Sequence, residues 1–305
     1  MFNVTPRKVN NPKYVRSKIL FIRLFLIGLL SLTVLAAIPS TRSKARSAMS
    51  LVMAIADGHR IRTSELGDLT NIVFLHHSTG EHFITQGGLR EALEAEGFQL
   101  WDHGYNYQGL TGPDGKPRKY SYRIPADNTD PDGLAVLFNQ PSSTIPINAF
   151  SGLLQHEVIL IKSCFTPTSH IDSEEQLERY KADYLAIRDV INQHPNKVFL
   201  LMTQPPLNLA ETNPDEAARA RALADWLVSP EFGNGHNNLY VFNTFAFLVD
   251  DNPDSIRYNM LRESFSNGSD SHPNQKANEQ IVPMLVAFIK ISIQSYQGAT
   301  LGIGS

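Results

Sequence analysis

The sequence predicts an α/β fold built on a mostly parallel five-stranded sheet. From residue 70 onward, short apolar runs alternate with segments of helical periodicity. The apolar runs, such as Val-Ile-Leu-Ile and Val-Phe-Leu-Leu-Met, are continuous, which is typical of strands buried on both faces. Strands that alternate with helices favour a parallel sheet covered by helices on both sides.

Each element follows from a local pattern. Five apolar runs predict strands: Ile72–His76, Phe98–Asp102, Val158–Lys162, Val198–Thr203 and Leu239–Phe242. Five periodic segments predict helices: Gly88–Glu96, Leu134–Phe138, Ser173–His194, Pro214–Val228 and Asn274–Ile293. The third helix begins with a capping residue, Asp172 or Ser173, and carries two glutamates in its first turn, where the helix dipole favours negative charge.

The residues that could carry chemistry follow the predicted strands. Ligands in open α/β sheets bind at the carboxyl ends of the strands, beside the switch point of the strand order. The segment Gly104–Asp132 predicts a long loop at this edge, and loops of that length are often functional. Its tyrosines, lysines and arginines could stack on sugar rings and pair with acidic substituents. A solvated surface loop without a ligand is the alternative.

Residues 1–48 predict an export signal. They contain nine basic residues and no acidic one, and Leu24 to Ile38 is an almost unbroken apolar run of 15 residues. A basic flank before a short apolar run is typical of a signal peptide. A membrane-spanning helix needs about 20 apolar residues, so a retained N-terminal transmembrane anchor is the alternative. We expect a linker at 49–69, the catalytic domain at 70–296 and a tail at 297–305, outside the cytoplasm.

Removal of that segment would leave an acidic domain. The whole chain has 27 basic and 30 acidic residues. Loss of the nine basic residues in 1–48 would leave 18 basic against 30 acidic residues, a net charge near −12. This charge disfavours nucleic acid as a partner, and membrane association is expected only through the N-terminus. The single cysteine, Cys164, excludes an internal disulfide.

Two distant motifs carry the parts of a serine hydrolase. The first strand runs into His77-Ser78-Thr79-Gly80, and almost 200 residues later positions 269–274 read Ser-Asp-Ser-His-Pro-Asn. A serine hydroxyl needs an imidazole to take its proton and an acid to orient that imidazole. We therefore predict Ser78 as the nucleophile, His272 as the general base and Asp270 as the orienting acid.

On these motifs and their order, the chain resembles the SGNH (GDSL-like) hydrolase superfamily as a divergent member. Four blocks carry the resemblance over residues 70–295: His-Ser-Thr-Gly at 77–80, Asn-Tyr-Gln-Gly at 106–109, Lys-Ser-Cys-Phe at 162–165 and Asp-Ser-His-Pro-Asn at 270–274. They stand where the family has its nucleophile, glycine, Gly-x-Asn-Asp and Asp/His blocks. The resemblance implies a three-layer, flavodoxin-like fold and hydrolysis of an ester.

The same blocks suggest which groups would bind the substrate. Gly109 would offer a backbone N–H to the oxyanion, with Asn106 and Ser163 as further donors, and His77 would line the pocket beside the nucleophile. Cys164 stands where the family has its oxyanion asparagine. The acid lies two residues before the histidine, whereas the family norm is three; this spacing is similar to that of SGNH-like polysaccharide O-acetyltransferases.

Each motif also has a structural interpretation. Ser78 could cap a helix, and Asp270 or Ser271 could cap the last helix with Pro273 at its first position. Cys164 could be a small packed residue or a thiol nucleophile paired with the histidine. Four histidines and one acid cluster near the first two strand ends, but no metal-ligand motif occurs, so neither a metal nor a cofactor is predicted: His76, His77, His82, His103 and Asp102.

The sequence therefore predicts an exported serine esterase that acts on an acylated small molecule or glycan, secreted, periplasmic or at the cell surface. Two other functions fit the same residues. A polysaccharide O-acyltransferase would pass the acyl group to a sugar instead of water. A non-catalytic binding protein on the same fold would explain the missing asparagine.

Overall fold

The computed structural model describes residues 48–56, 67–125, 130–162 and 168–302. The chain divides into two units, residues 1–50 and 51–305, and every element named below belongs to the second. Almost all of the predicted export signal lies outside the described residues. Within the described part of the chain, no helix is both long enough and apolar enough to cross a membrane.

A twisted layer of six strands forms the centre of the described domain. The strands are β1 (Asn71–Leu75), β2 (Gln99–His103), β3 (Leu110–Thr111), β4 (Val158–Lys162), β5 (Val198–Met202) and β6 (Leu239–Phe242). Their order is β3-β2-β1-β4-β5-β6, and all neighbours pair in parallel except β3, which is antiparallel to β2. The strand order changes direction beside β1, so the carboxyl end of β1 lies at the switch point.

Helices cover the sheet on both sides. They are α1 (Ser78–Thr85), α2 (Leu89–Ala95), α3 (Pro131–Phe138), α4 (Ala149–Leu153), α5 (Glu174–Ile191), α6 (Pro214–Leu227), α7 (Pro230–Gly233), α8 (Thr244–Leu248) and α9 (Gln275–Gly302). Several of these helices begin at a residue whose side chain caps the first turn. Ser173 accepts a hydrogen bond from the N–H of Gln176, and Asn213 accepts from two N–H groups of α6.

The strands direct alternate side chains into two apolar layers. In β1, Ile72 and Phe74 pack in the layer that contains residues of α1, α2 and α9. Val73 and Leu75 pack in the opposite layer, with residues of α3, α4, α5, α6 and α7. Because both faces are buried, β1, β4 and β5 consist mostly of apolar residues. This is a three-layer α/β arrangement, and it confirms the predicted fold class.

The five predicted parallel strands all occur, each within one residue of its predicted bounds. The structure adds β3, a sixth strand of two residues at the sheet edge. It also adds four short helices that the predicted set lacks: α1 of eight residues, α4 and α8 of five each, and α7 of four. Elements this short contain too few residues to show a period of their own, so the sequence pattern did not predict them.

The segment 104–132 is only partly a surface loop. Tyr120, Tyr122 and Ile124 are buried in the apolar core. The Arg118 guanidinium lies 5.1 Å from the ring centroid of Trp101 and donates to Asp114 at 2.8 Å. The part of the segment that follows β3 therefore packs against the domain, and residues 126–129 lie outside the described residues.

Candidate active site

Ser78 is the first residue of α1, directly beyond the carboxyl end of β1. His77 is the N-cap, in an extended conformation and without a side-chain hydrogen bond to the helix. The Ser78 hydroxyl is therefore not used as a cap, and the structural interpretation of this serine is wrong. The first N–H groups of a helix have no acceptor within the helix, so backbone N–H groups without a helical partner lie in the turn that carries Ser78.

Gly80 allows α1 to turn back closely over β1. A Cβ added at Gly80 would lie 2.3 Å from the Cβ of His76 and 2.9 Å from the Cζ of Phe74. Both contacts are shorter than packed carbon atoms permit, so a larger residue would push the first helical turn away from the strand. The glycine beside the serine thus fixes where the hydroxyl lies.

The structure brings Ser78, His272 and Asp270 into one hydrogen-bonded chain. The His272 Nε2 lies 2.7 Å from the Ser78 Oγ, and the His272 Nδ1 lies 2.6 Å from an Asp270 carboxylate oxygen. Because an ionised carboxylate only accepts hydrogen bonds, the ring proton belongs on Nδ1. Nε2 is then free to accept the proton of the serine hydroxyl, which is the arrangement of a Ser-His-Asp triad.

The contact with His272 favours the ionised form of Asp270. Partial burial by itself would raise the pKa of the carboxyl group. Hydrogen bonds from the backbone N–H and ring of His272, together with the charge of that ring, outweigh burial and lower the pKa below its ordinary value. The lowered pKa keeps the acid ionised at neutral pH.

Residues after β5 hold the segment that carries the acid and the base. Buried Asn208 donates through Nδ2 to the Ser266 Oγ at 2.6 Å and to the Gly268 carbonyl at 3.0 Å. Its N–H donates at 2.9 Å to the hydroxyl of Ser271, which also contacts the carboxylate of Glu211. Ser271 therefore points inward, between Asp270 and His272, whose side chains contact each other.

The last helix begins after the segment that carries Asp270 and His272. Asn274 accepts a hydrogen bond from the N–H of Ala277 at 3.0 Å, so Asn274 is the side chain that caps α9. The alternative in which Asp270 or Ser271 caps this helix is wrong, because Pro273 precedes the cap. Asp270 is free to bind His272 for this reason.

A buried amide connects the nucleophile helix to the segment with the base. Asn278, on α9, donates through Nδ2 to the Gln86 Oε1 at 2.7 Å and to the Pro273 carbonyl at 3.1 Å. A Cβ added at Gly87 would lie 2.5 Å from the Cγ2 of Val282 and 2.7 Å from the Asn278 carbonyl oxygen. This close packing of the end of α1 on α9 brings Ser78 and His272 within reach of each other.

A second histidine contacts the first. His82 lies one turn after Ser78 on α1, and its ring centroid is 5.3 Å from that of His272. Its Nδ1 is buried and has no hydrogen-bond partner among the described residues. Burial, and then the charge of His272, lower the pKa of His82, so His82 tends to be a neutral neighbour of the base.

Two residues predicted to bind the oxyanion are used by their own loop. The N–H of Gly109 donates to the Tyr105 carbonyl at 3.0 Å. The side chain of Asn106 donates to the Ile124 carbonyl and accepts from the Ser121 hydroxyl at 2.5 Å. Neither group is available to a substrate in this structure. Gly104, not Gly109, directly follows β2.

Of the other predicted binding residues, the structure describes only His77. Ser163 and Cys164 lie outside the described residues. His77 is buried beside the nucleophile, and its ring centroid lies 4.9 Å from that of Tyr105. Tyr105 in turn stacks on Tyr107, at 5.5 Å with an interplanar angle of 8°. An aromatic row therefore runs outward from the residue before the serine.

The histidines near β2 have structural partners. The His76 Nε2 lies 3.4 Å from Asp102, whose other carboxylate oxygen binds the guanidinium of Arg90. The His103 Nδ1 donates to the Gly104 carbonyl, and its Nε2 accepts from the N–H of Tyr122. Over the part of the chain that the structure describes, no group of three potential ligands could hold a metal ion.

Comparisons with known proteins add little to this geometry. No protein-family model matches the chain, and no curated protein is similar to it in sequence. One similar solved structure is a Bacteroides fragilis protein described as a "putative acylhydrolase". It covers 73% of this chain and 88% of its own, at 10% sequence identity and a TM-score of 0.46. A similarity this weak carries no argument about activity, so the functional conclusion depends on the site.

Proposed function

We propose that the chain is a serine hydrolase that cleaves ester bonds in acylated substrates. The observation that carries this proposal is the hydrogen-bonded chain from Ser78 through His272 to Asp270. The Ser78 Oγ would attack the ester carbonyl carbon as His272 takes the hydroxyl proton. The alcohol would leave with that proton. Water, deprotonated by His272, would then attack the acyl-serine and release the acid.

The start of α1 supplies electrostatic support for the proposed reaction. The backbone N–H groups of Ser78 and Thr79 precede the first hydrogen bond inside the helix, which Glu81 makes to His77. Free N–H groups and the positive end of the helix dipole favour a negatively charged oxygen at this position. We propose these two N–H groups as the oxyanion donors, in place of Gly109 and Asn106.

An open site favours hydrolysis over acyl transfer. The side chain of Asp270 is 50% exposed and that of His272 is 26% exposed, so water reaches the base directly. An acyltransferase must keep water away from its acyl-enzyme. The Asp-x-His spacing keeps a polysaccharide O-acyltransferase as the second candidate. A non-catalytic binding protein is the third, but it has no need for an intact triad.

The proposal extends to the substrate class and to the cellular location of the protein. We propose that the protein is a divergent SGNH-type enzyme that removes acyl groups from carbohydrate outside the cytoplasm. The order of the catalytic residues along the chain and their places at the sheet edge support the family. The basic and apolar N-terminus supports export. The intact mass of the protein from a fractionated producing cell would separate a cleaved signal from a retained anchor.

A fluorophosphonate probe tests the catalytic proposal. It should label the folded domain, and peptide mass spectrometry should place the label on Ser78. His272→Ala should abolish labelling, because the hydroxyl then has no base. Ser269→Ala is the matched control, since it removes an exposed serine beside Asp270 and should leave labelling intact. Label on another residue, or none on folded protein, would remove the serine-hydrolase assignment.

A further inference from the structure

Tyr105 and Tyr107 form an exposed aromatic shelf next to the nucleophile. Their rings are nearly parallel, and the inner ring contacts His77, the residue before Ser78. The side chain of Tyr107 is 83% exposed. One face of the outer ring therefore covers Tyr105, and the opposite face is open to solvent.

Tyr107 is exposed, whereas two later tyrosines of the same segment are not. Tyr120 and Tyr122, a few residues further on, are buried in the core. The segment thus places tyrosines inside where packing requires them and leaves one outside beside the serine. The exposed ring is not isolated: it stacks on Tyr105, which contacts His77 beside Ser78, so the open face lies next to the proposed nucleophile.

The shelf is held in place before any ligand binds. The N–H of Tyr105 donates to the Gln108 side chain at 3.0 Å, and the N–H of Gln108 donates to the Tyr105 carbonyl at 2.9 Å. Asn106, between the two tyrosines, is bound to Ile124 and Ser121. A rigid turn of this kind loses little conformational entropy when a ligand packs on it.

We propose that this shelf binds the sugar ring of an acylated carbohydrate, the alcohol part of the ester; this inference rests on the proposed esterase function. A pyranose ring has a flat face of C–H groups that packs on an aromatic face. Its hydroxyls project from the ring edge toward polar side chains. Gln108 and Arg123, two exposed residues of the same segment, have side chains of the kind that bind such hydroxyls.

A long acyl chain fits the same surface less well. A hydrocarbon chain gains most when apolar walls enclose it on several sides. The shelf instead offers one flat face with polar neighbours. The acyl group is therefore expected to be short, with the sugar supplying most of the contact.

Binding can be measured without catalysis. Saturation-transfer NMR would use the Ser78→Ala protein and an O-acetylated cello-oligosaccharide. Transfer to the sugar C–H protons is expected, with a reduction of at least fivefold when Tyr107→Ala is added. Tyr296→Ala is the control, because Tyr296 contacts Pro195 near the start of β5, at the opposite end of the sheet. Equal transfer with and without Tyr107 would overturn the subsite.

Kinetics then separate this inference from the proposed function. For Tyr107→Ala, the ratio of kcat/KM for the acetylated oligosaccharide to that for 4-nitrophenyl acetate should fall about tenfold, through KM, which corresponds to about 1.4 kcal/mol. Tyr107→Phe should restore the ratio, because it keeps the aromatic face. An unchanged ratio, or a selective loss on 4-nitrophenyl octanoate, would overturn the sugar subsite. Wild-type protein inactive on both acetates would instead refute the esterase proposal.

Discussion

Both ring nitrogens of His272 have a hydrogen-bond partner: a carboxylate at one and a hydroxyl at the other. Asp270 fixes the Nδ1 proton and Ser78 offers its hydroxyl to Nε2. The third contact, His82, is not hydrogen-bonded to the ring but lies beside it. A charged residue at position 82 would act on the His272 ring electrostatically, whereas a neutral one would not.

This contact predicts how charge at position 82 changes the pH dependence of activity. A cation near His272 disfavours its protonated form, so His82→Lys should move the acidic limb of kcat/KM to lower pH, by up to about one unit. His82→Glu should move the limb in the opposite direction. His82→Asn, uncharged, is the reference. The check is a pH profile of 4-nitrophenyl acetate hydrolysis, and shifts of the same sign for Lys and Glu would contradict the account.

The three residues that the sequence named as a triad lie in one hydrogen-bonded chain, whereas two that it named as oxyanion donors bind their own loop. Ser78, Asp270 and His272 could be named because each belongs to a motif at a recognisable place along the chain. Gly109 and Asn106 could not be excluded, because their partners, Tyr105 and Ile124, depend on how the loop closes. The support from Asn208 was missed for the same reason: it lies about 60 residues from the segment that it holds.

At the scale of elements, the contact between α1 and α9 determines whether the site forms. Both helices lie on the same face of the sheet, and Asn278 bonds to residues at the end of one and the start of the other. The chain makes room for this contact with Gly87, where a side chain would meet Val282. Stability and activity are therefore coupled at this position.

Gly87→Ala should reduce both the stability of the domain and its esterase activity. The added methyl would meet three atoms within 2.8 Å, so we expect a loss of about 1–3 kcal/mol in the free energy of unfolding. Activity should fall as well, because α1 carries the nucleophile. Urea unfolding and ester hydrolysis measure the two effects. Gly298→Ala, also on α9 but with no atom within 4 Å of the added Cβ, is the control and should not destabilise.

The long elements could be predicted from sequence, and the short ones could not. Buried parallel strands are apolar on both faces, so β1, β4 and β5 were evident as continuous runs. The two-residue strand β3 is defined by its pairing with β2, which no local pattern reveals. The turn that presents the aromatic shelf lies just before β3, and its geometry was hidden for the same reason.

At the scale of the whole molecule, buried histidines make the domain sensitive to acid. Burial lowers the pKa of His103 to about 4 and that of His156 to about 3. In the unfolded chain both return to about 6.5. Below that pH the unfolded chain binds protons that the folded domain does not. Stability is therefore complete above about pH 6.5 and is lost as the pH falls toward 4.

The expected slope is measurable. Two such histidines should reduce the free energy of unfolding by about 2.7 kcal/mol per pH unit between about pH 6 and pH 4.5. Urea unfolding at several pH values gives the slope, and His156→Gln should reduce it by about half whatever it does to stability at pH 7. A flat profile between pH 6.5 and 5 would show that these histidines are not buried as described.

The topology explains why residues so far apart in sequence form one site. β1 is central and its carboxyl end lies at the switch point, so the nucleophile emerges there. The other parallel strands end at the same edge, and the segment after β6 carries Asp270 and His272 there before α9 covers the sheet. The base and its acid therefore come late in the sequence and yet meet the serine.

A double-mutant comparison tests the central claim most directly: Ser78 and His272 act as one catalytic unit. We expect Ser78→Ala and His272→Ala each to reduce kcat for 4-nitrophenyl acetate by several orders of magnitude, with melting temperatures close to wild type. The double variant should be about as slow as either single one, because groups that act together are not additive. Activity of Ser78→Ala within tenfold of wild type, or losses that multiply in the double variant, would contradict the account.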